Sequence, residues 1–350
     1  MSVYPIHNQD SQTSYKKLIR PSLLSILGLV ISACTNIAPS ATHAQIQPVP
    51  IAPKVALVLG GGGAKGFAHV GVIKALEESG ITPTLVVGTS VGSLVGSLYA
   101  SGYTPQQLEQ LALTTPDSEL TDFVLSNQGF IEGIKLRNFI NAKVDGRTIE
   151  DFPISFAAIA AEKDTLQKAV FTSGDAGLAV QASCSVPNIF IAPRIPEKVG
   201  KKYIDGGVVS LIPVDSARDL GADIIIAVDV TVPTSSKKNM TSNLLPAITS
   251  LSSFWGLLEN NLASNIASNN IASNTIASNP TYSGTNHRSS MRNERGRADI
   301  VITPDVGHIS SLDTSQRSAL ITAGTQATTP QINAIKKLIR EKSNSKYVTL

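Results

Sequence analysis

The chain has 350 residues, of which 42% are hydrophobic and 5% aromatic, and its formal net charge is +3. That length holds one large α/β domain or two small ones, with ample apolar content for a core. A charge so slight and aromatics so scarce offer nucleic acid neither a basic field nor a stacking platform.

Lys16, Lys17 and Arg20 precede an apolar run from Leu23 to Ile31. The run is too short to span a bilayer and reads as an export signal. It ends in Ile31-Ser32-Ala33-Cys34, which resembles the bacterial lipobox. Residues 1–34 are therefore expected to be a lipoprotein-type signal segment, with Cys34 the lipidated residue that anchors an exported envelope protein at a membrane surface. Cleavage after Ala44 in Thr42-His43-Ala44 is the alternative, and it leaves a periplasmic or secreted chain. The two cysteines are Cys34 and Cys184, so lipid on Cys34 leaves no intramolecular disulfide. Cys184, in Ala182-Ser183-Cys184-Ser185-Val186-Pro187, has no basic neighbour and reads as a buried, inert thiol. Residues 35–53, rich in Pro, Ala, Ser and Gln, read as a flexible tether.

From Lys54 onward, β-runs alternate with helical patterns. Strands are predicted at Val55–Leu59, Leu85–Val87, Ile154–Ala161, Lys168–Phe171, Lys202–Ile204, Ile224–Val228 and Ile300–Ile302. Several are continuous apolar runs, as strands covered on both faces require, so the sheet is expected to be mostly parallel. His69, Val72, Ile73 and Leu76 form an inward helical stripe. Ser93, Gly96, Ser97 and Ala100 form a stripe of small residues that lets a second helix lie close to the sheet, and Gly102 is placed to end it. The core is read as 54–232. Residues 233–298 break the pattern with repeated Ala-Ser-Asn units and are read as a low-complexity insertion. Within it, Leu244 to Leu258, with Trp255, reads as a short amphipathic helix that packs peripherally, covers the active-site mouth or touches lipid. Residues 299–345 are expected to complete the core with a strand and helices.

Two glycine-framed segments carry the chemistry. Gly60-Gly61-Gly62-Gly63-Ala64-Lys65-Gly66 follows the first β-run and opens a helix. It lacks the Gly-Lys-Ser/Thr of a phosphate-binding loop, and the next strand lacks the terminal acid of a dinucleotide site. What remains is an anion cradle for a transient oxyanion, from the N–H groups of Gly61, Gly62 and Gly63. Lys65 either adds positive charge there or points to solvent. Gly88-Thr89-Ser90-Val91-Gly92 lies between a β-run and a helix, the setting in which a sharp turn exposes a serine hydroxyl. Ser90 is the expected nucleophile, a plain turn serine being the bland alternative. For its base, Asp205 in Tyr203-Ile204-Asp205-Gly206-Gly207 follows a β-run, and Gly206 and Gly207 let the backbone turn to aim a carboxylate inward. His69 sits in an apolar stripe and reads as a core histidine. His308 is the one histidine placed to complete a Ser-Asp-His order.

These elements, in this order, resemble the patatin-like phospholipase family: Gly61 to Gly66 as its oxyanion loop, Gly88 to Gly92 as its nucleophile elbow, and Asp205 to Gly207 as its Asp-Gly-Gly/Ala motif. Phe67 to Gly71, Ala182 to Pro187 and Gly221 to Asp229 also look familial, so the resemblance covers about Lys54 to Val230 and resumes at Asp299. It implies a three-layer α/β/α sandwich and a Ser90–Asp205 dyad acting on phospholipid or other acyl-ester lipids without histidine, metal or cofactor. A phospholipase A or lysophospholipase type of reaction follows. The rival classes are a non-enzymatic envelope lipoprotein and a general esterase or thioesterase. Asp229, ending a buried strand, reads as structural.

Overall fold

The computed structural model describes residues 49–50, 52–126, 128–232, 294–345 and 347–348. Cys34, Ala44, the signal segment, most of the tether, the Leu244–Leu258 segment and the insertion as far as residue 293 lie outside the described residues.

The strands are β1 (Val49–Pro50), β2 (Val55–Leu59), β3 (Leu85–Thr89), β4 (Ser155–Glu162), β5 (Lys168–Phe171), β6 (Arg194–Ile195), β7 (Lys201–Asp205), β8 (Ile224–Val228), β9 (Ile300–Ile302) and β10 (Tyr347–Val348). The helices are α1 (Phe67–Glu78), α2 (Val91–Ala100), α3 (Pro105–Thr114), α4 (Ile134–Lys143), α5 (Ala176–Ser183), α6 (Val214–Asp219), α7 (Arg317–Thr328) and α8 (Ile332–Ser345). Strands β1 and β10 pair as a separate antiparallel ribbon. The main sheet runs β6-β7-β4-β3-β2-β8-β9, with β5 on β4. Its centre, β4-β3-β2-β8-β9, is parallel, whereas β5, β6 and β7 add antiparallel pairs at one side. The short β1, β6 and β10 carry two residues each, too few to leave a periodic signal in the sequence.

Alternation along the buried strands divides the core. One face carries Leu57, Leu59, Val86, Phe156, Ile224 and Ile226 against α1 to α5, α7 and α8. The other carries Ala56, Val58, Val87, Ile159 and Ile225 against α6 and its flanking residues. The sheet is thus covered on both sides, and the two helical layers are unequal among the described residues.

One register decides where the chemistry sits. Ala158 and Ile159 of β4 face β3 on one edge and β5 on the other. Ala160 and Ala161 face β5 on that same second edge and β7 on the first. Strands β3 and β7 therefore share one edge of β4 and meet end to end. Thr89 stands opposite Ile159 and Asp205 opposite Ala160, so the turn after β3 and the end of β7 are immediate neighbours.

Helices α1 and α7 cross at two glycines. A Cβ on Gly71 would lie 1.8 Å from the Ile321 carbonyl oxygen, and one on Gly324 would lie 2.0 Å from that of Ala68. Neither neighbour is a side chain that can swing aside. Gly324→Ala is expected to lower the unfolding free energy in urea by roughly 1–3 kcal/mol, the usual cost of overpacking.

Candidate active site

Ser90 occupies a backbone conformation (φ 54, ψ −128) outside the regions that L-residues favour. The surrounding contacts hold it there. Its N–H donates to Ser183 Oγ at 2.9 Å, and that hydroxyl donates in turn to the Ile159 carbonyl at 2.6 Å. Its own carbonyl accepts from the N–H groups of Ser93 and Leu94 and from Ser93 Oγ. Thr89 Oγ1 donates to the Ser210 carbonyl. Glycine is required on both flanks: a Cβ on Gly88 would meet the Gly92 carbonyl oxygen at 2.3 Å, and one on Gly92 would meet that of Leu59 at 2.1 Å. The small stripe of Ser93, Gly96, Ser97 and Ala100 is buried, and Gly102 (φ 109) follows the end of α2.

Asp205 ends β7 with its side chain wholly buried. Its N–H donates to the Ser185 carbonyl, and its Oδ1 accepts from the Gly207 N–H at 2.7 Å. Gly206 gives the turn its clearance, since a Cβ there would lie 2.2 Å from the Ile159 carbonyl oxygen. Burial raises the Asp205 carboxyl to a pKa of about 7, while the Ser90 hydroxyl and the Gly207 N–H favour the ionised form and hold it from going higher. Oδ2 accepts no hydrogen bond of regular geometry. The Ser90 hydroxyl is therefore close enough to act on the carboxyl but is not aligned on it, as is common in sites without substrate.

The glycine loop lies directly against this pair: a Cβ on Gly61 would sit 3.3 Å from Ser90 Cβ. Its amides are not equivalent. The Gly61 N–H is committed to the Leu211 carbonyl at 3.0 Å, and the Ala64 N–H to the Ser311 carbonyl at 2.8 Å. The N–H groups of Gly62 and Gly63 donate to no acceptor among the described residues. Of the three amides expected to cradle an oxyanion, Gly61 spends its donor in fixing the loop, and those of Gly62 and Gly63 stay without an acceptor among the described residues. Gly63, at φ 59, has the Ser311 carbonyl oxygen 2.4 Å from where a Cβ would be. At Gly66 the Val91 side chain occupies that space.

Beneath the loop, His69 is wholly buried and its Nε2 lies 2.8 Å from the Gly60 carbonyl oxygen. Burial lowers its pKa to about 4, so the ring is neutral and Nε2–H donates. Its Nδ1 has no hydrogen-bond partner, so the core histidine of the sequence reading is only half satisfied. Lys65 is buried and does not point to solvent. Burial lowers its pKa, and the charge of Asp229 opposes that shift. Asp229 is itself buried, ion-paired with Arg295 and capped by Thr231. Cys184 is buried beside Ser93, and burial, with the Asp205 charge as a lesser cause, pushes its thiol pKa up.

His308 lines a different cleft, of about 460 Å³, with Asp305, Ala319 and Gln326. A second cleft, of about 200 Å³, is lined by Arg137, Gln181 and Arg194 among others. Neither includes Ser90 or Asp205, and the pair is identified by its converging groups rather than by a hollow. Ser90 is 7% exposed.

The roles of several supporting residues carried no sequence signal. Ser183 holds the Ser90 amide and Ser185 that of Asp205, so the Ala182–Pro187 stretch ties both halves of the pair. Residues 294–298, grouped with the insertion by composition, make contacts with the loop and helix at 210–215. Glu294 is buried, accepts from Ser210 Oγ and from the Asp215 N–H, and Arg297 pairs with Asp215.

Residues 57–218 match the family model described as "Patatin-like phospholipase". A patatin-like phospholipase domain-containing protein of Caenorhabditis elegans is 35% identical over 211 residues, covering 59% of this chain and 15% of that protein. An uncharacterized NTE family protein of Mycobacterium bovis is 33% identical over 180 residues, covering 51% of this chain and 49% of that one. The chain therefore spans half or less of the length of these relatives. The crystal structure of VipD from Legionella pneumophila shares the fold, with a TM-score of 0.53 at 15% identity over 81% of this chain and 67% of that one.

Two outcomes are expected. Ser183→Ala leaves the Ser90 amide and the Ile159 carbonyl without their shared partner and should lower stability by roughly 1–3 kcal/mol in urea unfolding. In pH-dependent unfolding, native Asp205 keeps its proton to about pH 7, while an unfolded aspartate loses it near pH 4. Its contribution to stability is thus full below about pH 4 and is lost as pH rises towards 7. Asp205→Asn should remove that slope; an unchanged slope contradicts the buried, protonated carboxyl.

Proposed function

We propose, from the match of residues 57–218 to the patatin-like phospholipase family model, that the chain is a serine acyl-ester hydrolase of the phospholipase A or lysophospholipase type, working through Ser90 and Asp205. The observation that carries this reading is the meeting of β3 and β7 on one edge of β4, with a buried carboxyl oxygen left uncommitted beside a strained serine.

In this mechanism Asp205 Oδ2 takes the proton of Ser90 Oγ as that oxygen attacks the acyl carbonyl carbon. The carbonyl oxygen gathers negative charge and is met by the Gly62 and Gly63 N–H groups, which have no other acceptor among the described residues to give up. The tetrahedral centre collapses, the alcohol portion leaves with the proton from Asp205, and the acyl group stays on Ser90. Water then attacks, giving its proton to Asp205, and the fatty acid departs as Ser90 Oγ regains a proton. A carboxyl near pKa 7 suits this exchange, since it neither holds nor refuses a proton strongly at neutral pH. Neutral His69 and buried Lys65 support the loop from below, and neither is given a proton-transfer step. The substrate class is phospholipid or another acyl-ester lipid. Lipid on Cys34 would hold the enzyme at the membrane that supplies it.

Ser90→Ala and Asp205→Asn should each lower hydrolysis of lysophospholipid by roughly a thousandfold or more, with circular dichroism unchanged. Full activity in either variant would end the dyad mechanism. His308→Ala should stay within about twofold of the parent, because its cleft is separate from the dyad. For the parent enzyme, kcat/KM should rise with pH through a midpoint of about 7 as Asp205 ionises; a flat profile across that range argues against Asp205 as base. Mass-spectrometric profiling of lipid products from parent and Ser90→Ala chains identifies the bond cleaved.

A further inference from the structure

Strand β7 runs antiparallel to β4, and Tyr203 pairs with Glu162, the last residue of β4. Lys201 and Lys202 therefore extend past the carboxyl end of that strand. Asp205 lies four residues further in, about 13 Å along the chain. The β6–β7 hairpin thus rises from the dyad to the surface at the carboxyl end of the parallel strands. Its tip carries Val199, 85% exposed.

A second loop stands beside it. Phe123 (78% exposed), Leu125 (fully exposed) and Phe130 (62% exposed) present large apolar side chains to solvent on one segment. The segment is folded rather than loose. Val124 N–H donates to the Phe130 carbonyl, and the N–H groups of Phe130 and Ile131 both donate to the Ile189 carbonyl. Phe123 and Ile131 form an antiparallel bridge. Lys202 Nζ donates to Gln128 Oε1 at 3.1 Å, joining hairpin and loop. From Ile189, backbone hydrogen bonds lead to Val186, next to the Ser185 carbonyl that holds the Asp205 amide. The exposed residues and the dyad are therefore fixed to one another through a short run of backbone.

Between residues 194 and 202 the β6–β7 hairpin carries four cations, Arg194, Lys198, Lys201 and Lys202, and one acid, Glu197, whereas Asp122 and Glu132 flank the apolar loop. Glu162 is paired with Lys201 and Glu197 with Arg137. Arg194 and Lys202 form no ion pair with a carboxylate among the described residues, Lys198 lies within reach of the Glu197 charge, and Asp164 stands on this hairpin's flank. Four apolar tips beside cationic side chains fall short of the about 20–30 residues a side that a stable protein partner engages. They do match a lipid surface, into which each tip inserts singly while the cations meet anionic headgroups.

We propose that the Phe123–Phe130 loop and the Val199 hairpin tip dock the protein on an anionic phospholipid surface, with the carboxyl end of the sheet, and so the dyad, turned towards the lipid. This deepens the hydrolase reading and rests on it for the identity of the lipid as substrate; docking itself is measured separately.

The test uses the full chain with Cys34→Ser, so that no lipid on that residue contributes, and with Ser90→Ala where vesicles must stay intact. Partition onto phosphatidylcholine vesicles containing roughly one third phosphatidylglycerol is read by co-sedimentation. Combined Phe123→Ser, Leu125→Ser and Phe130→Ser should weaken partition by roughly tenfold or more. Binding by the parent should weaken as salt rises from about 0.1 M to about 0.5 M. In the active background, the triple variant should lose vesicle hydrolysis yet still cleave dissolved p-nitrophenyl butyrate, which also reports that it is folded. Undiminished partition of the triple variant overturns the proposal. So does equal binding of the parent to neutral vesicles, or a triple variant that differs only in oligomeric state by light scattering. If the parent cleaves no ester but the triple substitution still abolishes partition, the hydrolase reading falls and docking stands. If the triple variant cleaves vesicle lipid at the parental rate, docking falls and the hydrolase reading stands.

Discussion

Two strands of opposite direction share a single edge of β4, and the rest of the site follows from that sharing. Strand β3 runs up to Ile159, β7 runs down to Ala160, and the backbone leaves no spacer between their ends. A turn must start where β3 stops, and a carboxylate must arrive where β7 stops. The sheet itself, rather than any loop, therefore sets how the serine and the aspartate are placed. A site built on paired strands is positioned more rigidly than one built on loops, because ladder hydrogen bonds fix both members at once.

The same arrangement imposes costs that neighbouring residues offset. Ser90 is held in a conformation disfavoured by about 1–3 kcal/mol, and the Ser183 hydroxyl, the Ser93 hydroxyl and the amides at the start of α2 restrain it. Asp205 is deprived of water and keeps only one regular hydrogen bond on its carboxylate. That desolvation carries its pKa to about 7, where a carboxyl can exchange protons with a serine. The glycine loop divides its labour: Gly61 and Ala64 anchor it to Leu211 and Ser311, which leaves the Gly62 and Gly63 amides without an acceptor among the described residues. Asp229, with Arg295 and Lys65 around it, sets the charge below that loop, and wholly buried His69 stays neutral while bracing Gly60.

Much of this was legible in the sequence because the elements concerned are long or chemically marked. The continuous apolar runs at Val55–Leu59 and Ile224–Val228 coincide with β2 and β8, since a strand buried on both faces has no polar positions to blur it. The glycines flanking Ser90 and Gly206 after Asp205 report close backbone approaches, and such approaches are what the fold contains. The pairing of a donor is not written in composition: nothing about Gly61 tells that Leu211, far along the chain, claims its amide. The Ala182–Pro187 stretch was visible as a motif, but its role needed the register that brings Ser183 to one half of the pair and Ser185 to the other. Glu294 followed low-complexity sequence and was grouped with it, although a lone buried acid held by Ser210 is a tertiary fact that no window of local composition records.

Removal of the Ser90 proton by Asp205 is the central proposed step, and the rate at which a fluorophosphonate labels Ser90 measures it without any dependence on lipid presentation. Labelling of the purified chain should accelerate with pH about a midpoint near 7, and in Asp205→Asn it should be slow at every pH. Rapid labelling of Asp205→Asn, with the pH profile of the parent, would contradict it.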